Sequence, residues 1–118
     1  MKIRIKGNSL RYRLTRPDIA ALAKDGYLEE RIDFGFESLI YAIKIRETQN
    51  LTAKYNDHAI TLSMSPAMIA ELVETERVGF EQKGDPLYLL VEKDFTCLDQ
   101  VEEDQSDNYP NPLLAEKK

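Results

Sequence analysis

The sequence has little of the material from which several common functional sites are built. Cysteine occurs once, as Cys97, so no intrachain disulfide can form, which is typical of a reducing cytoplasm. The five glycines are spread along 118 residues without clustering, which excludes a glycine-rich phosphate loop. The chain also lacks zinc-ligand spacing, a dinucleotide-binding motif and a serine-nucleophile motif. We therefore predict no catalytic residue, no metal site and no cofactor.

Long apolar runs are missing as well. The longest lie around Ile40 and Leu89, far short of the ~20 residues that cross a bilayer. The opening Met1-Lys2-Ile3-Arg4 contains charge and no continuous apolar segment, unlike a secretory signal. The sequence thus predicts a cytoplasmic protein without membrane contact. Its 42% hydrophobic and 31% charged residues are typical of one folded domain.

Charge is distributed unevenly along the chain. The net charge is −5, yet residues 2–16 contain only cations among their charged residues. Residues 99–107, in contrast, contain five acids and no base. The overall acidity argues against nucleic-acid binding, which favours a broadly basic surface. The asymmetry therefore indicates two segments of opposite charge within one chain.

The apolar pattern of residues 10–28 recurs, without gaps, in residues 60–78. In each copy an alternating strand pattern changes to helical spacing at a hydroxyl residue and then returns to alternation. Thr15 is predicted as the first helix N-cap, with Asp18 three residues on, and Ser65 as the second. Pro66 then occupies the first helical position, where a missing N–H costs nothing.

Each copy extends outward into a β-hairpin. Gly7-Asn8 forms a two-residue turn. The facing pairs that this turn predicts are Ile5 with Leu10 and Ile3 with Tyr12. The Asp57-His58 turn predicts the corresponding pairs Tyr55 with Ile60 and Ala53 with Leu62.

These patterns predict an α+β fold. Residues 1–98 form a single domain of two tandem ββαββ repeats, residues 1–46 and 51–96. One polar and one apolar face per strand suits a mainly antiparallel sheet or a partly closed barrel, covered by the two short helices. Residues 99–118 are polar, acidic and punctuated by prolines, which indicates an extended tail.

The first hairpin provides the main candidate binding site. Its cations are Lys2, Arg4, Lys6, Arg11 and Arg13. The predicted turn sets Arg4 across from Arg11, and like charges directly opposed weaken a hairpin. A negative group is therefore expected there: an acidic partner, an anionic ligand, or acids of this chain. The alternative is a solvated face, loosely paired with Glu29, Glu30 or Asp33.

The acidic segment at residues 102–108 is the natural counterpart, within the chain or across a neighbouring chain. Its spacing Asp104-x-Ser106-x-Asn108 resembles a calcium loop, but Tyr109 stands where that loop requires glycine. We therefore predict no metal there. Asn108-Tyr109-Pro110-Asn111-Pro112 forms either a docking segment or a disordered end. His58 is predicted to be a solvated turn residue and Cys97 a partly buried apolar residue.

Both ends of the chain resemble a known group of sequences. The similarity lies in the opening Lys2-Ile3-Arg4-Ile5-Lys6-Gly7-Asn8-Ser9-Leu10-Arg11-Tyr12-Arg13-Leu14, in Val91-Glu92-Lys93-Asp94-Phe95-Thr96-Cys97-Leu98, and in Glu103-Asp104-Gln105-Ser106-Asp107-Asn108-Tyr109-Pro110-Asn111-Pro112. The chain thus resembles a family of small uncharacterised bacterial proteins, a domain of unknown function, over nearly its whole length. The resemblance implies a bacterial cytoplasmic origin and assigns no catalytic or binding residue.

The sequence leaves the function open between two classes. The first is a non-enzymatic domain that uses the basic hairpin to meet an acidic protein segment, a small anion, its own acidic tail or a second copy in a homodimer. The second is a small enzyme for a phosphorylated or carboxylated metabolite, with Glu29 or Glu30 as base. Tyr12, the one aromatic residue in the hairpin, is assigned to the core, which argues against stacking on a nucleic acid.

Overall fold

The structure, a computed structural model, describes residues 1–84 and 86–95. Within these described ranges, two helices and eight strands follow one another. They are β1 (Lys2–Lys6), β2 (Ser9–Leu14), α1 (Arg16–Asp25), β3 (Tyr27–Asp33), β4 (Ser38–Ile45), β5 (Thr52–Asn56), β6 (Ala59–Met64), α2 (Pro66–Glu74), β7 (Gly79–Lys83) and β8 (Tyr88–Lys93). The predicted α+β class is confirmed.

The strands form two four-stranded sheets. The first has the order β1-β2-β8-β7 and the second the order β3-β4-β6-β5. In each sheet the outer pairs are antiparallel and the central pair, β2 with β8 or β4 with β6, is parallel. The structure therefore corrects the expected single sheet or partly closed barrel to two mixed sheets, with no closed barrel among the described residues.

The difference arises at the helices. Each helix carries the chain from one sheet to the other, because β2 precedes α1 in the first sheet and β3 follows it in the second. The strand after each helix consequently does not join the hairpin before it. The central position beside β2 is filled by the last described strand, and the one beside β6 by β4.

Both predicted hairpins have the expected register. In the first, Ile3 faces Tyr12 and Ile5 faces Leu10. In the second, Ala53 faces Leu62 and Tyr55 faces Ile60. The turns differ in conformation: Gly7 has φ 53°, whereas Asp57 and His58 have φ 51° and 63° without being glycine.

Both predicted helix caps are present. The Thr15 hydroxyl accepts from the Asp18 backbone N–H at 3.4 Å, and the Asp18 carboxylate accepts from the Thr15 N–H at 2.9 Å. This reciprocal capping box satisfies two N–H groups that the helix leaves open. Ser65 caps α2 by accepting from Met68 N–H at 3.1 Å, and Pro66 follows at the first helical position. Gly26 ends α1 at a left-handed φ of 73°.

The inner faces of both sheets and one side of each helix share a hydrophobic core. The largest fully buried side chains are Tyr12, Leu14, Leu22, Ile43, Leu62, Met64 and Val91. The Tyr12 hydroxyl lies 3.5 Å from the Ile60 carbonyl oxygen in the other sheet, and burial raises the pKa of Tyr12 far above its ordinary value. The predicted core position of Tyr12 is confirmed, and each sheet turns its other face away from this core.

Candidate functional site

The five predicted cations lie on the outer face of β1 and β2. Strand alternation explains this, because Ile3, Tyr12 and Leu14 contact the core and their neighbours point the other way. The register sets Arg4 opposite Arg11 and Lys2 opposite Arg13, as predicted. We call this surface the basic face; it comprises Lys2, Arg4, Lys6, Arg11 and Arg13.

A carboxylate from a distant part of the chain joins the basic face. Glu92 on β8 is the register partner of Arg13. Its Oε1 lies 3.0 Å from the Nε of Arg13 and 3.1 Å from the Nε of Arg11. The Glu92 side chain is 17% exposed, whereas those of Arg11 and Arg13 are 35% and 38% exposed. Two guanidinium groups thus share one carboxylate oxygen, and this trio keeps a net positive charge.

A second acid from the same region contacts the first strand. The Nζ of Lys2 lies 3.2 Å from the Oδ2 of Asp94, and the Lys2 side chain is 73% exposed. Such an exposed pair contributes about 0–1 kcal/mol and is weakened further by salt. Glu92 and Asp94 therefore neutralise only part of the basic face.

These are not the acids that the alternative of a solvated face named. Glu29, Glu30 and Asp33 all lie on β3, in the second sheet. There Glu29 is 3.8 Å from Arg31, and Glu30 is 2.8 Å from the Met1 ammonium group. Glu92 was missed because it is 79 residues from Arg13, and only the pairing of β2 with β8 brings the two together.

Backbone packing beside Glu92 depends on a glycine. Gly79 on β7 is the register partner of Glu92. A Cβ on Gly79 would lie 2.2 Å from the Val91 carbonyl oxygen and 2.8 Å from the Glu92 Cα, closer than any real contact. Glycine thus permits the close approach of β7 to β8 that supports Glu92. No motif in the sequence marked this residue.

Tyr88 adds an aromatic group to the same surface. It shares a strand face with Leu90 and Glu92 by alternation, and its register partner on β2 is Ser9. Its hydroxyl donates to the Glu81 carboxylate on β7, and this hydrogen bond raises the pKa of Tyr88. The outer face of the first sheet therefore runs from cations on β1 and β2 to a tyrosine–carboxylate pair on β8 and β7.

Two cavities in the described part of the chain lie away from the basic face. One of about 1040 Å³ is bounded by both helices and the end of β8, with Ile19, Leu72 and Phe95 among its lining residues. Another of about 510 Å³ lies beside the end of α1. Neither of these two is lined by a residue of the basic face. The candidate site is consequently an open sheet surface.

The remaining predicted residues are dispersed or not described. His58 is exposed in its turn, with Nδ1 3.5 Å from the Glu37 Oε2. Cys97 and the acidic tail at residues 99–118, with its calcium-like spacing, lie outside the described residues. Within residues 1–84 and 86–95, no cluster of three potential metal ligands occurs. Over the same ranges, neither helix has the length and apolarity needed to span a bilayer.

Comparison with known proteins agrees with the resemblance noted in the sequence. The model of a family of unknown function, DUF7009, matches residues 1–113. No curated protein and no solved structure matches the chain. Because the match covers nearly the whole chain, the protein belongs to this family of unknown function, DUF7009.

Proposed function

We propose that this protein is a non-enzymatic binding domain whose basic face receives an acidic protein segment. The observation that supports this most directly is the sharing of one Glu92 oxygen by Arg11 and Arg13. Each guanidinium carries five N–H donors in a planar fork, and the contact with Glu92 uses the Nε donor. A further carboxylate beside the pair would relieve the repulsion that a single acid leaves.

The shape of the basic face favours a protein segment over a small anion. Small ligands bind mostly in concave sites, whereas this surface is the outer side of a sheet. Cations that alternate along a strand are about 6–7 Å apart, which is also the spacing of alternate side chains in an extended acidic peptide. Residues 99–107 of this chain, with five acids, are one such segment. When tethered, they compete with partners at high effective concentration.

We also propose that the domain, residues 1–98, is a tandem duplication of residues 1–46 and 51–96, followed by the acidic tail. The order of hairpin, helix and hairpin occurs twice, and each hairpin–helix junction carries a hydroxyl cap, Thr15 or Ser65. The bacterial origin and the cytoplasmic location stay predictions, supported by the resemblance and by the single cysteine.

The binding proposal is tested with a labelled peptide of residues 99–108 and the full-length chain. The variant Arg11→Thr/Arg13→Ser introduces the residues that β6 carries at the equivalent hairpin positions, 61 and 63. We expect this variant to bind the peptide roughly five- to thirtyfold more weakly, because each of the two exposed charge contacts contributes roughly 0.5–1 kcal/mol. Wild-type affinity should also fall as salt rises.

A matched control removes two cations from the second sheet by Lys44→Ser/Lys54→Thr. It changes the net charge equally, and its affinity should stay within about twofold of the wild type. The same measurements are repeated in a chain that carries Glu102→Gln/Glu103→Gln/Asp104→Asn. These changes remove acids of the tail that would compete with the peptide for the basic face, so this second background should bind the peptide more tightly. Equal losses in the two cation variants, or no binding in either background, would overturn the proposal.

A further inference from the structure

Two edge strands with different charge lie on the same side of the molecule. Among the described residues β1 pairs only with β2, and β3 pairs only with β4, so each leaves one edge without a strand. The Met1 ammonium nitrogen, directly before β1, lies 2.8 Å from the Glu30 Oε2 on β3. This ion pair places the start of β1 beside β3.

Their outward side chains carry complementary charges at the same spacing. On β1 these side chains are Lys2, Arg4 and Lys6. On β3 they are Glu29, Arg31 and Asp33, since Leu28 contacts the core. If β1 of one copy paired with β3 of another so that Arg4 faced Arg31, both lysines would face carboxylates. This holds whether the two strands run parallel or antiparallel. The central arginines repel each other, but Glu29 lies 3.8 Å from Arg31 and reduces that cost.

Pairing of like edges is less favourable. Two β1 strands would set cations against cations, and two β3 strands centred on Arg31 would set Glu29 against Asp33. Like charges directly opposed destabilise a strand pair, whereas opposite charges stabilise it. The charges therefore favour the contact of β1 with β3 over either contact between identical edges.

Several exposed apolar side chains lie on or directly after the same two strands. Ile5 on β1 is 59% exposed, and Tyr27 and Ile32 on β3 are each 43% exposed. Phe34, directly after β3, is 65% exposed. A sheet edge with free backbone groups and apolar side chains is a template for adding another strand.

We propose that two copies of this chain form a twofold dimer through reciprocal pairing of β1 with β3. The β1 strand of one copy extends the second sheet of its partner, while the β3 strand of that copy extends the partner's first sheet. Both halves of the contact lie on one side of each copy, so the arrangement closes after two copies. This inference goes beyond the proposed function, because its acidic half is on the second sheet and needs no acidic segment.

A charge-swap experiment tests this dimer in the full-length chain. The variant Glu29→Lys/Asp33→Lys makes both edges basic, and Lys2→Glu/Lys6→Glu makes both acidic. Sedimentation equilibrium should show a wild-type dimer and at least tenfold weaker association of each variant alone. An equimolar mixture should recover a heterodimer, because each β1 then meets a β3 of opposite charge.

The control Glu47→Lys/Glu74→Lys makes the same charge change away from both edges and should dimerise like the wild type. Thermal unfolding of each variant identifies any that does not fold. If the Lys2 change unfolds the chain by setting a glutamate near Asp94, Lys2→Gln/Lys6→Glu replaces it; β1 then has no net charge, and the mixture should recover part of the association. A monomeric wild type at several hundred micromolar, dimers that persist in the swapped variants, or a mixture that stays monomeric would each overturn the proposal.

The same variants separate this dimer from the proposed binding function. Glu29→Lys/Asp33→Lys leaves every residue of the basic face in place, so it should bind the acidic peptide like the wild type while losing the dimer. Arg11→Thr/Arg13→Ser leaves both edge patterns in place and should keep the dimer while binding the peptide more weakly. Loss of both properties in both variants would contradict the separate roles of the Arg11–Arg13 pair in peptide binding and of the β3 acids in dimerisation.

Discussion

The hairpins β1–β2 and β5–β6 occupy the same place in their respective sheets and differ mainly on their outer faces. Each has five facing pairs, and Tyr12 and Leu62 are fully buried at equivalent positions. On the outer side, β2 carries Arg11 and Arg13, whereas β6 carries Thr61 and Ser63. A hairpin of this form thus folds with neutral residues at these two outer positions of its second strand. The cations of the first hairpin therefore need an explanation other than strand pairing, and the proposed binding face supplies one.

The strands that pair in parallel with the two hairpins, β8 and β4, also differ in the charge they place on the outer face. Glu92 is the register partner of Arg13 in the first sheet, and Lys44 is the partner of Ser63 in the second. The Ser63 hydroxyl accepts from the Nε of Arg46 at 3.0 Å. Each outer face is thus matched to side chains that arrive from another part of the chain.

The largest expected effect tests whether the inner faces are equivalent. Tyr12→Ala should lower the free energy of unfolding by about 3–5 kcal/mol and Leu62→Ala by about 2–5 kcal/mol, because both leave cavities in one core. Denaturant unfolding measures both changes. Tyr55→Ala is the control, since that side chain is 69% exposed and its loss should change stability little. A small effect at either core position would show that the two hairpins do not contribute alike.

The next effect tests the charge contrast between the outer faces. Glu92→Gln should lower the free energy of unfolding by about 1–3 kcal/mol, because it removes the carboxylate that two arginines share. The loss should be greater at low salt, where the guanidinium groups repel each other most. Glu76→Gln, at an exposed position, serves as the control.

A triple variant sharpens that test. Arg11→Thr/Arg13→Ser added to Glu92→Gln gives β2 the neutral residues of β6 and removes all three charges of the trio, so it should recover most of the lost stability. Chemical unfolding of the single, double and triple variants gives the coupling between Glu92 and the arginines. Additive losses would mean that the shared contact contributes nothing to folding.

The sequence predicted those parts of the fold that depend on short-range signals. The Gly7-Asn8 turn determined the register of the first hairpin, and Thr15 and Ser65 identified both helix starts. The partition into two sheets could not be predicted in this way. Periodicity identifies the buried face of a strand but does not show which distant strand lies beside it. Glu92 was missed as a partner of the basic face for this reason, although alternation with Leu89 and Val91 already places it on the outer face.

A smaller expected effect is a difference in pH dependence between the start of α1 and the start of α2. Burial alone would raise the pKa of Asp18, but hydrogen bonds from the Met1 ammonium group and from Thr15 outweigh it and lower the pKa below the ordinary 3.8. The stability that Asp18 contributes is therefore present above pH 3.8 and is lost as the pH falls through its lower folded-state pKa. Asp18→Asn should lower the free energy of unfolding by about 1 kcal/mol at neutral pH. The stability of this variant should also fall less steeply than that of the wild type as the solution is acidified.

The second junction provides the control for this pH effect. Ser65 caps α2 with no acid in its first turn. Ser65→Ala should also cost about 1 kcal/mol. That loss should be the same at neutral and acidic pH, because no carboxylate takes part. Equal pH profiles for the Asp18 and Ser65 variants, measured by urea unfolding, would contradict the role assigned to Asp18.

The smallest expected effect concerns the turns. Gly7 adopts φ 53°, and a Cβ added to it would have no neighbouring atom within 4 Å, whereas His58 adopts φ 63° with a side chain attached. A left-handed conformation costs a non-glycine residue roughly 1 kcal/mol. His58→Gly should therefore raise stability by about 0.5 kcal/mol, because the greater freedom of glycine in the unfolded chain offsets part of the relief.

Gly7→Ala should act in the opposite direction and lower stability by about 1 kcal/mol, through backbone strain alone. The exposed contact of His58 with Glu37 contributes little, and Glu37→Gln measures that contribution separately. Thermal unfolding resolves shifts of this size in a chain of 118 residues. If His58→Gly and Gly7→Ala moved stability in the same direction, turn strain would not explain the difference, and the two hairpins would have to differ in how their strands pack.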